Sequence, residues 1–262
     1  MKPPAEGRIL KGVRPFLAAG VALTLGKTGN DAMTDLAAWI PPPLPPRTAI
    51  RGRYVTLEPL EREHAADLFE AFAEDGGAMW DYLPAGPHKD LASYVAWLDA
   101  ARLGWDPLHY AVRMADGRLG GTLSLMRIDP RAGSAETGWL TFARRLQRTR
   151  EATEAVYRLM EWSFEAGYRR FEWKCHAANL PSRRAAQRFG MSFEGVFRQA
   201  GVVKGANRDT AWYAAIDLEW PALKAAFETW LEPGNFDGAG RQKQSLAALT
   251  RPVLAAVDPL VG

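Results

Sequence analysis

The sequence predicts a mixed α/β fold, with one domain over about residues 39–231. Three observations point there. Strand-type alternation and helix-type spacing take turns along the chain, in the order strand, two helices, three strands, helix, strand, helix, two strands and a closing helix. No segment repeats. Of the 262 residues 47% are hydrophobic, ten tryptophans and eleven phenylalanines among them, which suffices for one core of this length.

Each element has its own warrant. "WIPPPLPPR" (39–47) is an extended arm on the domain surface, because proline fixes φ and lacks an amide donor. Residues 51–60 alternate as a strand. Residues 61–75 set Ala65, Leu68, Phe69 and Phe72 at helical spacing. The loop after them carries Met79, Trp80, Tyr82 and Leu83, which reads either as a wall of an acceptor site or as an apolar cluster under a loop. Residues 89–103 form a second helix. Strands follow at 108–114, 118–129 and 134–142, and the turn at Ala115–Gly117 makes a hairpin of the first two. The helix at 150–167 places Ala152, Ala155, Val156, Leu159, Met160 and Ser163 on one stripe, and Gly167 ends it. Residues 169–177 are a strand. Residues 180–190 are a short helix with Pro181 in its first turn and Gly190 as its stop. Strands at 191–199 and 209–218 and a helix at 220–231 complete the domain. Residues 232–262, rich in Gly and Ala, read as a weakly ordered tail with a short helix at 241–249.

The net charge of +3 sits in the first 32 residues, and the remainder balances, so the folded part offers no general basic surface for nucleic acid. One local excess stands out. Residues 141–210 hold 14 basic and seven acidic side chains, and "RRLQRTREATEA" (144–155) crowds four arginines before a helix start. Unpaired amides and the helix dipole attract anions at such a point. Cys175 is the lone cysteine, which excludes an internal disulfide and a cysteine-rich metal site and fits a cytoplasmic location. No run of 18 apolar residues exists to span a membrane. "PFLAAGVALTLG" (15–26) has the look of a signal-peptide apolar region, but no small-x-small site follows it. Met33 therefore reads as the natural start, with residues 1–38 an extension of little structure.

"TEAVYRLMEWSFEAGYRRFEWKCHAANLPSRRAAQRFGMSFEGVFRQ" resembles the Gcn5-related N-acetyltransferase (GNAT) superfamily, in its RimJ/RimL branch. The resemblance rests on Thr153-Glu154-Ala155, Asn179-x-x-Ser182, Gly190, Glu194-Gly195, Arg198 and Arg208-Asp209, and on the proline arm with "GRYVTLEPL" at the front. It implies a splayed, mostly antiparallel mixed sheet flanked by helices. It further implies acetyl-CoA or another acyl-CoA as cosubstrate, without a metal, lying between the strands at 134–142 and 169–177. The acceptor would be a primary amine of a protein N-terminus, a lysine or a small molecule. The acyl group would be acetyl or a larger one such as succinyl, and a homodimer is left open.

The resemblance also carries residues. The pyrophosphate would meet Arg148, Thr149, Arg150, Glu151, Ala152 and Thr153. The family's pattern there is Q/R-x-x-G-x-G/A, and this chain departs from it, with Glu151 and Thr153 standing where the glycines belong. Leu140, Thr141 and Phe142 would flank the splay and supply an amide to the oxyanion. Asn179 would touch the pantetheine arm or cap a helix. Ser182 would lie near the sulfur, or merely cap. Glu136 is the candidate base for the ammonium proton, or else a surface or ion-paired strand glutamate, with Asp209 and Glu194 as rivals. Tyr213 is a candidate second acid beside Ser182, or else an amphipathic core tyrosine. A catalytically silent acyl-CoA-binding module is the alternative, given the missing glycines.

Overall fold

In the computed structural model, which describes residues 36–261, eight strands form one sheet in the order β1-β2-β3-β4-β5-β6-β8-β7. The strands are β1 (Ile50–Arg51), β2 (Val55–Pro59), β3 (Leu108–Met114), β4 (Leu119–Asp129), β5 (Ser134–Phe142), β6 (Arg170–His176), β7 (Ser192–Val203) and β8 (Ala206–Ile216). All neighbours pair antiparallel except β5 and β6, which are parallel. The helices are α1 (Ala65–Phe72), α2 (Leu91–Arg102), α3 (Arg150–Glu165), α4 (Leu180–Arg188), α5 (Trp220–Leu231) and α6 (Leu246–Thr250). The mixed, mostly antiparallel sheet flanked by helices is the fold class expected from the sequence.

The sheet separates two apolar layers. Successive strand residues point to opposite faces. Tyr110 and Val112 pack with Val156, Leu159 and Phe227 of α3 and α5, whereas Ala111 packs with Leu68, Phe72 and Tyr94 of α1 and α2. The proline arm lies where the sequence puts it, with the Tyr168 hydroxyl donating to the Pro43 carbonyl at 3.0 Å.

Three expectations need correction or fall elsewhere. The strand expected at 51–60 is broken at Gly52–Tyr54. The amides of Arg53, Tyr54 and Val55 leave the ladder and donate to the buried carboxylate of Glu154, at 2.7, 2.6 and 3.0 Å. A side chain at Gly52 would put Cβ 2.4 Å from that carboxylate. The tail expected to be weakly ordered instead carries core residues. Leu246, Thr250 and Asp258 are wholly buried, and Ile40–Gly262 is one compact unit. Its anchors mix apolar Leu246 with polar Thr250 and Asp258, so no single period announces them. The reading of residues 1–35 as an extension, with Met33 as start, lies outside the described residues.

Candidate functional site

The sheet opens where β5 leaves β6. Their parallel register runs only from Ser134–Arg170 to Thr137–Trp173, although β5 continues to Phe142. A bulge accompanies the parting. Thr122 of β4 faces Thr141, yet Ser124 faces Gly138, so β5 holds one extra residue. Trp139, in the bulge, takes a φ of 52°. Beyond it Leu140 and Phe142 line a cleft of about 990 Å³, which also reaches Trp173, the start of α3, α4 and the segment after α5.

The mouth of α3 is built as the sequence suggests. Thr149 is the N-cap: its hydroxyl accepts from the Ala152 amide at 3.1 Å and donates to the Leu146 carbonyl at 2.6 Å. The amides of Arg150 and Glu151 have no carbonyl one turn earlier in the helix to bond. Arg148 turns the chain into the helix with a φ of 64°, a conformation that favours glycine. Arg148, Thr149, Arg150, Glu151, Ala152 and Thr153 all line the cleft, as do Asn179 and Ser182. Thr141 does not. It is buried, and its hydroxyl donates back to the Trp139 carbonyl.

The cleft is cationic, with four lining arginines (148, 150, 184 and 188) against Glu151, and no described ion pair engages any of the four. Arg150 is sandwiched between the Tyr54 and Phe236 rings, at 4.9 and 4.6 Å. Arg188 lies over the Trp230 ring at 4.8 Å and donates to Thr153 Oγ1 at 3.1 Å. Burial pulls its guanidinium down to about 10. Cations fixed by aromatic rings and lacking a carboxylate are poised for a phosphate-bearing ligand. Arg184, Arg188, Phe236 and Gln242 escaped the sequence reading. For Arg188 a signal existed, since Ser182, Ala185 and Arg188 recur at helical spacing on one face.

Asn179 is the N-cap of α4, accepting from the Ser182 amide at 3.1 Å. Ser182 Oγ accepts from the Trp173 indole at 3.0 Å. An indole nitrogen only donates, so the serine keeps its own proton to give. Tyr213 is not at the cleft. It is wholly buried, its hydroxyl donates to Asp258 and accepts from Arg183 Nε at 3.1 Å, and burial followed by Asp258 pushes its pKa well up. A core partner thus occupies the proton that an acid would need.

Glu136 lies on the other face of the sheet. Its neighbour Ala135 belongs to the α3 layer, so Glu136 faces the α1 and α2 side. It is 3% exposed, and Arg127 and Lys174 both reach its Oε2 at 2.8 Å. The rivals are engaged as well. Asp209 accepts from the Gln199 amide and Asn207, which hold it below the usual range, and Glu194 pairs with Arg170. Cys175 is buried beside Ser182, and burial pushes its thiol up.

The description "Acetyltransferase (GNAT) domain" matches residues 55–192. A GCN5-related N-acetyltransferase from Brucella melitensis is 47% identical and covers 81% of this chain and 98% of its own, with a TM-score of 0.80. A probable acetyltransferase of the GNAT family from Chromobacterium violaceum is 42% identical over 71% of this chain and 95% of its own, with a TM-score of 0.68. RimL, a ribosomal L7/L12 alpha-N-protein acetyltransferase in complex with coenzyme A, shares the fold at 21% identity, 64% and 98% coverage and a TM-score of 0.56. No curated protein matches the chain.

Proposed function

We propose that this chain, which belongs to the GNAT acetyltransferase family, moves an acetyl group from acetyl-CoA to a primary amine of a peptide, protein or small molecule by direct attack on the thioester. The chain is an acyl-CoA-dependent N-acetyltransferase. The direct route and the roles below are our inference. The observation that carries them is the pair of ring-held, carboxylate-free arginines, Arg150 and Arg188, beside the open amides of α3 in a cleft at the strand parting.

In this reading the helix mouth and the arginines hold the cosubstrate's phosphates, and guanidinium groups stand in for the close backbone approach that glycines permit elsewhere. An amide of β5 near Leu140 donates to the carbonyl oxygen as charge builds on it. The amine nitrogen bonds to the carbonyl carbon, the carbon–sulfur bond breaks, and the Ser182 hydroxyl donates to the departing sulfur. Glu136 takes the ammonium proton at Oε1, since both cations sit on Oε2. Thr153 and Asn179 serve by position: Thr153 seats Arg188, and Asn179 fixes the start of α4.

Two outcomes follow. Arg188→Ala removes charge-assisted hydrogen bonds of about 1.5–3 kcal/mol, so the Kd for acetyl-CoA rises about 10- to 100-fold; calorimetric titration measures it, and an unchanged Kd removes Arg188 from the site. Ser182→Ala lowers kcat by about 10- to 100-fold, the same bond to a developing thiolate, with little change in the Kd for acetyl-CoA. Equal kcat in both forms would leave Ser182 as the hydrogen-bond partner of Trp173 alone. The reaction itself is tested by thiol release from acetyl-CoA over a panel of amines. Binding of acetyl-CoA with no release for any amine would favour the silent module.

A further inference from the structure

One residue lining the cleft comes from the opposite side of the sheet. Leu140, Phe142, Trp173 and Phe189 belong to the α3 layer, whereas Met79 packs with the α1 and α2 layer and still lines the cleft. Its turn, Ala78–Trp80, packs against β5. The cleft therefore passes through the gap where β5 has left β6, and Met79 meets it on the far side. The two ends of the cleft are distinct. Tyr82, three residues beyond Met79, donates to the Ala178 carbonyl at 3.4 Å and meets the His176 ring at 5.2 Å, and Asn179 and Ser182 follow directly in the chain. At the other end Arg188, Trp230 and Phe236 stand together, with centroid distances of 4.8 and 5.2 Å. Met79 is thus at the Ser182 end.

The backbone under Met79 is anchored by its neighbour. Trp80 is buried, and its ring meets Phe72 edge-on at 5.6 Å and His88 at 5.2 Å. Gly86 lies flat against that ring, since a side chain there would put Cβ 2.3 Å from it. The Trp80 carbonyl accepts from Lys204 Nζ at 2.8 Å, which ties the turn to the β7–β8 hairpin. Met79 itself is half-buried. Its position is therefore set, while its unbranched thioether fills an irregular space and yields by small amounts.

In the acyl-transfer reading, on which this inference rests, the sulfur lies by Ser182 and the carbonyl oxygen by an amide near Leu140. The rest of the acyl group then points through the strand gap at Met79. We propose that Met79 sets the acyl length: it closes the gap behind an acetyl methyl and turns away longer chains. Butyryl carries two carbons more than acetyl, and they would claim the space of Met79 Sδ and Cε. Truncation to alanine removes Cγ, Sδ and Cε and so opens room for them. The group that meets the acyl end is an uncharged thioether, so the site suits a short neutral acyl group rather than a carboxylate-bearing one.

The test compares acetyl-, propionyl- and butyryl-CoA in the thiol-release assay on the full chain, with the amine of highest turnover. In the parent, kcat/KM falls in that order, and butyryl-CoA stands about 100-fold or more below acetyl-CoA. Met79→Ala brings the two within about 10-fold, and Met79→Val moves the ratio the same way by less. Met79→Leu, which keeps the volume, keeps the parent's ratio. A gain on butyryl-CoA cannot come from unfolding. A parent that uses both acyl groups alike, or a ratio that neither truncation moves, overturns the assignment. If no acyl-CoA releases thiol with any amine, acyl transfer itself falls, and the calorimetric Kd values of acetyl- and butyryl-CoA judge Met79 instead. A parent preference that Met79→Ala erases upholds it, and the same ratio in both forms overturns it.

Discussion

Asp258→Ala is expected to cost about 3–5 kcal/mol, because it leaves a buried guanidinium without its counter-charge. Asp258 and Arg183 are 0% and 2% exposed. Arg183 grips both carboxylate oxygens, Nη2 to Oδ1 at 2.6 Å and Nε to Oδ2 at 2.7 Å, and Tyr213 adds a third bond. At about 2–4 °C per kcal/mol for a domain of this size, Tm falls by roughly 10 °C. Urea denaturation checks the figure, and a loss under about 1 kcal/mol would mean that the site relaxes around the charge. The pair also acts on catalysis. Arg183 sits between Ser182 and Arg184 on α4 and donates to the Ala177 carbonyl at 2.8 Å, so its release loosens the helix that lines the cleft. The pH dependence has a definite sign. Burial raises the Asp258 pKa, but Arg183 and Tyr213 outweigh it and hold the carboxyl below its ordinary 3.8. A carboxylate with a depressed pKa stabilises fully above its unfolded value. That contribution is lost only in acid, as pH falls from about 4 through the folded value.

Glu154→Ala has an effect of similar size by a different route. The side chain is 1% exposed, and besides three backbone amides it meets Arg158 Nη2 at 3.2 Å. Its removal strands those amides in an apolar setting, at about 1–3 kcal/mol for each that finds no water, so a total near 4 kcal/mol is expected. Glu154→Gln keeps the volume and one acceptor oxygen and should lose about half of that. Thermal denaturation of the two variants decides the matter. If both lie within about 0.5 kcal/mol of the parent, the amides have found water. The same carboxylate fixes Tyr54, whose ring flanks Arg150, so Glu154→Ala also weakens one wall of the cleft.

Local pattern was a sound guide wherever one side chain per period faces a core. The bounds of β3, β5 and α5 match the sequence reading: α5 repeats against one layer, while β3 and β5 are runs buried on both faces and bounded by turns. The break at Gly52–Tyr54 was illegible, since its cause, Glu154, is about a hundred residues away. The hairpin of β7 and β8 outran its expected length because β7 is largely exposed and alternates little. At the site, strand–loop–helix order located the α3 mouth without the usual glycines. Tyr213 was misread although its neighbours Ala211 and Ala215 are apolar, which is the signature of a core-facing row. Phe236 and Gln242 could not be found, because nothing local tells a packed loop from a loose tail.

The bond geometry across the middle of the sheet has a mechanical meaning. Five strands stand on one side and three on the other, and four residue pairs join them. This is a seam, and α3 straddles it, resting on β2 and β5 on one side and β6 on the other, while α4 rests on β6, β7 and β8. The Arg188–Thr153 bond stitches the two helices over the gap. Any widening of the cleft loads those four pairs and that stitch, so the stiffness of one short parallel ladder sets how far the two halves can part.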